Sequence, residues 1–169
     1  LRSITYTNTA EDPSTATRTV SFVVNDGATD SNTGTRDITL TAANDAPVVA
    51  TTGSVLPYTE NAAATAADYG LSLPDADTAS LSSATVSVSA NFVTGQDVLS
   101  FSSQNGITGS WNAGTGVLTL SGSATVAQYQ TALRSITYTN TAENPSTATR
   151  TVSFVVNDGA TDSNTGTRD

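Results

Sequence analysis

The chain has no cysteine, histidine, methionine or lysine. Without cysteine there is no disulfide and no thiolate metal site, and without histidine the commonest zinc ligand and general base is gone. A metal, if bound, has to be held by oxygen. Positive charge is scarce too: six arginines stand against fifteen acidic residues, for a formal net charge of −9. That field repels nucleic acid and anionic membrane surfaces and attracts cations. No apolar run approaches the ~20 residues that span a bilayer, and no basic-then-apolar leader opens at Leu1. Neither nucleic acid nor membrane is therefore expected as a direct partner, and any export signal or anchor is expected outside this segment. With His, Cys and Lys missing, chemistry is left to carboxylate pairs of the glycosidase kind. Nothing in the sequence sets two of them in a cleft, so an enzyme is not expected.

What the chain does contain is mostly Thr, Ser, Ala, Asn and Asp, arranged around a long internal repeat. The segment Leu1–Asp37 returns as Leu133–Asp169 with one difference, Asp12 becoming Asn144, at a period of 132 residues. Near-identity over that length implies recent duplication within a tandem array. After Asp37 the first copy continues as ITLTAANDAPVV, and the natural join between units is placed near Asn44–Pro47, where Pro follows a polar turn. The sequence is thus divided into residues 1–45, the last strands of one repeat plus its linker, and residues 46–169, the next repeat. On this reading Asp169 stands just before the final strand of that repeat, which Ile38–Asn44 of a neighbouring molecule or continuing chain would supply.

Alternation of period two marks strands with one buried face. It recurs at Ala84, Val86 and Val88; at Leu99 and Phe101; at Leu118 and Leu120; at Ile136 and Tyr138; at Val152, Phe154 and Val156; and at Ile38 and Leu40. Thr and Ser between them suit the wet face of an antiparallel sheet. NGITG and NAGTG supply turns, the second fitting a hairpin between Trp111 and Val117. One segment breaks the pattern. In TVAQYQTAL, Thr125 and Gln128 form a capping box and Val126, Tyr129 and Leu133 share one helical face, so a short helix is expected there. The spacing predicts an all-β antiparallel sandwich with Greek-key connections and one short helix.

The order of motifs resembles the cadherin-like, immunoglobulin-like tandem repeats of large bacterial surface adhesins, including the repeats-in-toxin group. TEN at Thr59–Asn61 is similar to the family's acidic motif near the first strand, and DAD at Asp75–Asp77 to its Asp-x-Asp motif. SWNAGTGVLTL resembles the hairpin with a Thr-Gly turn, VSFVVNDG the strand ending in Asp-x-Gly, and ITLTAANDAP the linker between domains. Where cadherins carry an acidic motif after that hairpin, this chain reads SGSATVAQYQ, so the resemblance implies fewer ions at each junction than a full cadherin linker holds.

Calcium takes six to eight oxygen ligands, at about 2.3–2.6 Å. The resemblance gathers Asn44 and Asp45 of the linker, Asp75 and Asp77 of the DAD turn, and Asp158 of the NDG turn at one end of the second unit. Glu60 is expected at the opposite end, facing the next junction, and Asp26 in the preceding unit takes the part of Asp158. Asp68, Asp97, Asp162 and Asn164 are read as solvated loop residues, the six arginines as surface partners of carboxylates, and Trp111 as packing.

What this implies is a structural extender of a giant bacterial cell-surface adhesin, stiffened by Ca2+ where repeats join and projecting a distal ligand-binding domain. Its direct partners are then neighbouring repeats of the same chain, and its place the cell surface, at the outer membrane of a Gram-negative bacterium. The competing reading is a repeat that itself binds glycan, another cell's adhesin or ice, for which Thr39, Thr41, Thr137 and Thr139 would need to form one flat array.

Overall fold

A computed structural model describes residues 1–169. They divide into two compact units, Leu1–Ala43 and Asn44–Asp169. The first is a single antiparallel ribbon, β1 (Arg18–Phe22) with β2 (Gly34–Ile38), in which Arg18 lies opposite Ile38 and Phe22 opposite Gly34. A two-stranded ribbon has no second layer to cover it. Its apolar residues are accordingly open to solvent: Leu1 is 70% exposed and Val24 52%.

The second unit holds β3 (Thr65–Ala66), β4 (Ser80–Ala90), β5 (Asp97–Ser100), β6 (Thr108–Asn112), β7 (Val117–Thr125), α1 (Val126–Arg134), β8 (Thr137–Asn140), β9 (Thr151–Asn157) and β10 (Gly166–Arg168). Five strands form one sheet in the order β10-β9-β4-β7-β6, and three form another, β3-β8-β5, all neighbours running antiparallel. β4 lies between β7 and β9, both distant from it in sequence, so connections cross from sheet to sheet in the Greek-key manner. The fold is therefore the antiparallel all-β sandwich that the alternation predicts.

Its core follows from that alternation. Val86 and Val88 of β4, Leu118 and Leu120 of β7, and Phe154 and Val156 of β9 are buried, and they meet Leu99 of β5 and Tyr138 of β8 in one apolar cluster. Burying each such side chain stabilises the fold by about 1.5–3 kcal/mol. The helix forms where the capping box places it: Thr125 accepts from the Gln128 N–H while the Gln128 side chain accepts from the Thr125 N–H. Tyr129, Ala132 and Leu133 form its buried face, with Val126 packed at the margin. The hairpin between Trp111 and Val117 is also present, closed by the Gly116 N–H donating to the Asn112 carbonyl at 2.9 Å, with Gly116 at φ 70°.

The last strand differs from expectation. Ile38 and Leu40 were expected to define it, yet the strand is Gly34–Ile38 in the first unit, and its copy Gly166–Arg168 is β10 of the second. In the second unit Gly166 also lets the backbone come close to the chain segment at Val49. A Cβ there would lie 2.5 Å from a methyl of Val49, so the strand docks at a position that only a glycine fills without displacement. The second unit thus already holds the first residues of the strand that had been placed wholly beyond Asp169.

The four threonines are divided between the two units. Thr137 and Thr139 lie on β8, whereas Thr39 and Thr41 lie in the other unit and outside any strand. No helix is long and apolar enough to cross a membrane.

Candidate functional site

At one end of the second unit the linker residues, the turn before β4 and the turn after β9 come together. β9 delivers Asp158 into a turn whose shape its own carboxylate maintains: Oδ1 accepts from the N–H groups of Ala160 and Thr161, each at 2.7 Å, and Oδ2 accepts from the Asn44 amide at 2.8 Å. Desolvation pushes this carboxyl upward, but the Thr161 N–H, the Asn44 amide and the Ala160 N–H outweigh it and hold the group below the usual aspartate value. Asp77 Oδ2 accepts from the Asp45 N–H at 3.0 Å, and the Val48 N–H donates to the Pro74 carbonyl at 2.9 Å. The linker is thereby tied to both turns. Asp75 closes its own turn with Oδ1, which accepts from the N–H of Asp77 at 3.2 Å and of Thr78 at 2.9 Å. Its other oxygen, Oδ2, is buried with no hydrogen-bond partner.

Asn44, Asp45, Asp75, Asp77 and Asp158 are therefore brought to one end, joined as pairs through hydrogen bonds. No three carboxylates are drawn together into a ready-made metal cage. The orphaned Asp75 Oδ2 is the feature of this donor set that fits an added cation, since an unpaired carboxylate oxygen away from water is costly.

Glu60 lies elsewhere, exposed at the far end of the sandwich, beside the Pro145–Arg150 segment that leads into β9. Asp26 occupies in the first unit the same kind of turn as Asp158: its Oδ1 accepts from Ala28 and Thr29, each at 2.9 Å, and the Thr29 and Ala28 bonds hold its carboxyl below the ordinary value.

Two of the acidic residues assigned to solvated loops are inside the protein. Asp97 is 2% exposed and Asp68 fully buried. Asp97 accepts from the Tyr138 hydroxyl at 2.6 Å, the Asn140 amide at 2.7 Å and the Val93 N–H at 2.7 Å, and it pairs with Arg150 at 3.3 Å. Burial, reinforced by the hydrogen bond to Asp97, pushes the Tyr138 hydroxyl up to about 12. Asp68 accepts from the Thr52 N–H at 2.8 Å and hydroxyl at 2.9 Å and pairs with Arg168 at 3.4 Å. Arg150 and Arg168 are thus not surface partners but interior ones. Their reach explains the error: each joins a carboxylate far away in sequence. A trace of Asp97 was visible all the same, because in DVLSF it lies two residues before Leu99 and so shares its inward face. Asp68 had no such sign. Asp162 and Asn164 are exposed as expected, though Asn164 does more than face water: its side chain accepts from the Val49 N–H at 2.8 Å and donates to the Val49 carbonyl at 2.9 Å. Trp111 packs against the core margin, its ring 6.3 Å from that of Phe92 in an edge-on arrangement.

Compared with known proteins, the chain matches no protein-family model and no solved structure. It is 31% identical over 141 residues to part of Halomucin from Haloquadratum walsbyi, a match that takes in 80% of this chain. The chain spans 2% of the length of that relative, so what it is similar to is one short stretch of a very long protein.

Proposed function

We propose that this chain is a piece of a cell-surface repeat array, a structural extender in which β-sandwich units are strung in series and their joints are stiffened by calcium. Near-identical copies support the reading, because a spacer gains reach by multiplication whereas a specialised binding domain has no use for duplicates. So does the match to a short stretch of a very long protein. The observation that carries the calcium part is the buried, unpartnered Asp75 Oδ2 at the end where the linker is tied down.

Asp75 would offer its free oxygen, and Asp77, Asp45 and Asp158, with Asn44 as a neutral oxygen donor, would draw in around the ion. Bound calcium would supply positive charge to a joint with no lysine nearby. The chain's own residues do the rest. Asn44 bonded to Asp158, and Asp45 bonded to Asp77, restrain a linker that would otherwise turn freely. Asp26 would serve the preceding unit as Asp158 serves this one, and Glu60 the junction that follows. Neighbouring repeats are then the direct partners, with a distal domain of a bacterial adhesin binding the external ligand.

The test is small-angle X-ray scattering from several full repeats in tandem, in millimolar calcium and then in excess chelator. The maximum dimension is expected to fall on chelation as a rod gives way to a flexible ensemble. An unchanged dimension overturns the calcium-stiffened joint.

A further inference from the structure

The five-stranded sheet ends at β6, on the edge opposite β10. β6 lies mid-chain, and its Thr108, Gly109, Ser110 and Asn112 are exposed. Every second residue of an edge strand turns its N–H and C=O away from the sheet, so β6 offers unpaired backbone to another strand. Edges of this kind are usually shielded by a charge, a proline or a bulge. β6 has none of these: it reads TGSWN, and its register against β7 runs without a shift from Thr108 opposite Ser121 to Asn112 opposite Val117.

The charge pattern says which strand comes to that edge. Between Asp97 and Arg134 the sequence holds no charged residue, so β6, β7 and the helix up to Leu133 are neutral in a chain of net charge −9. Two copies of the chain repel one another, and along β6 that repulsion is weakest. The side chains of β6 also complement their own copy. Gly109 and Trp111 lie opposite Leu120 and Leu118 and share their inward face, whereas Ser110 faces out opposite Thr119. A Cβ at Gly109 would stand 2.7 Å from the Phe101 ring, so that position stays bare, while Trp111 beside it is only half-buried. In an antiparallel pair of β6 strands centred on Ser110, Gly109 of each copy lies opposite Trp111 of the other, and Thr108 opposite Asn112. Each indole then covers the other copy's glycine, a cross-strand pairing that steadies glycine at a sheet edge.

We infer that β6 is a self-docking edge, at which two copies of this chain join β6 to β6, antiparallel, about a two-fold axis at Ser110, so that one sheet runs through both. The same patch serves on both sides, so the contact closes as a pair. A pairing of two five-residue strands is weak alone, and repeats in series add such contacts by raising their effective concentration. On the reading of the chain as part of a surface array, two arrays joined in this way run in opposite directions, as arrays reaching out from two facing surfaces do. The pairing itself does not rest on that reading or on calcium.

The chain has no cysteine, so Ser110→Cys carries a single thiol placed on the two-fold axis. Residues directly opposite in an antiparallel pair have Cα atoms about 4.5–5.5 Å apart, within reach of a disulfide. Under mild oxidation in excess chelator, Ser110→Cys is expected to form covalent dimers roughly tenfold faster or more than Thr119→Cys, which is exposed on the same face one strand in. Sedimentation velocity on the unaltered chain, from low micromolar to near-millimolar concentration, should show a weak dimer that strengthens as salt screens the net charge. Ser110→Lys sets two like charges face to face and is expected to disperse that dimer, with an unchanged circular dichroism melt to show that the sandwich is intact. Equal cross-linking at positions 110 and 119, or a dimer that survives Ser110→Lys, places association on another surface and overturns the inference. A monomer at every concentration overturns it as well, and leaves the edge to a strand of a different protein.

Discussion

Arg150 and Asp97 meet inside the sandwich, Nε to Oδ1 at 3.3 Å, with the Asp97 side chain wholly shielded from water. Asp97 is also the acceptor for Tyr138, Asn140 and Val93, so one carboxylate ties the start of β5 to β8 and to the segment that leads into β9. Removing one partner of such a pair strands the other charge in the interior. Asp97→Ala is expected to cost about 3–5 kcal/mol, read as a shift of the urea midpoint at unchanged slope. Arg18→Ala, at the copy of Arg150 in the first unit, is expected to leave that transition where it is.

The same network makes stability depend on alkaline pH. Folding raises the Tyr138 hydroxyl from its ordinary value of 10.0 to about 12, through burial first and the Asp97 bond second. The folded state holds this proton more tightly than the unfolded chain does, so the contribution is fully present below pH 10 and is lost as pH climbs from 10 to 12. The loss amounts to about 2–3 kcal/mol at most. Denaturation curves across that window should show the fall, and Tyr138→Phe should flatten it.

Leu133 and Leu1 are the same residue in the same local sequence, yet Leu133 is fully buried beneath the helix end and Leu1 is 70% exposed. Leu133→Ala is expected to destabilise the second unit by about 2–5 kcal/mol. Leu1→Ala should change its stability by no more than about 0.5 kcal/mol. Thermal unfolding followed by circular dichroism separates the two; equal effects would mean that the first unit is covered in solution.

If Asp75 Oδ2 marks a calcium ligand, calcium should raise the melting temperature of this chain, because a ligand that binds the folded state stabilises it by mass action. Asp75→Asn is expected to abolish most of that rise, since it removes the charge while keeping the turn's Oδ1. Magnesium, which demands a tighter octahedron, should do much less. A calcium response untouched by Asp75→Asn would move the site elsewhere.

Much of the fold could be read along the chain because its signals are local. The capping box of Thr125 and Gln128 spans one helical turn, the Asn112–Gly116 hairpin closes on itself, and the alternation in Val152, Phe154 and Val156 sets a strand's inner face without reference to its partner. The acidic end was expected only from the family resemblance; locally, Asp75 and Asp158 each close a turn with their own carboxylate, whereas Asp77 reaches the linker's Asp45 N–H. What could not be read were the pairings across long separations. Asp97 and Asp68 looked like loop acids because the arginines that make their burial tolerable are distant in sequence, and the reason for a glycine at position 166, Val49, stands on a distant chain segment. The duplicated segment makes the division plain. One string of residues is core beside β4 and β7 and surface without them, because burial belongs to the neighbours a residue meets and not to the residue.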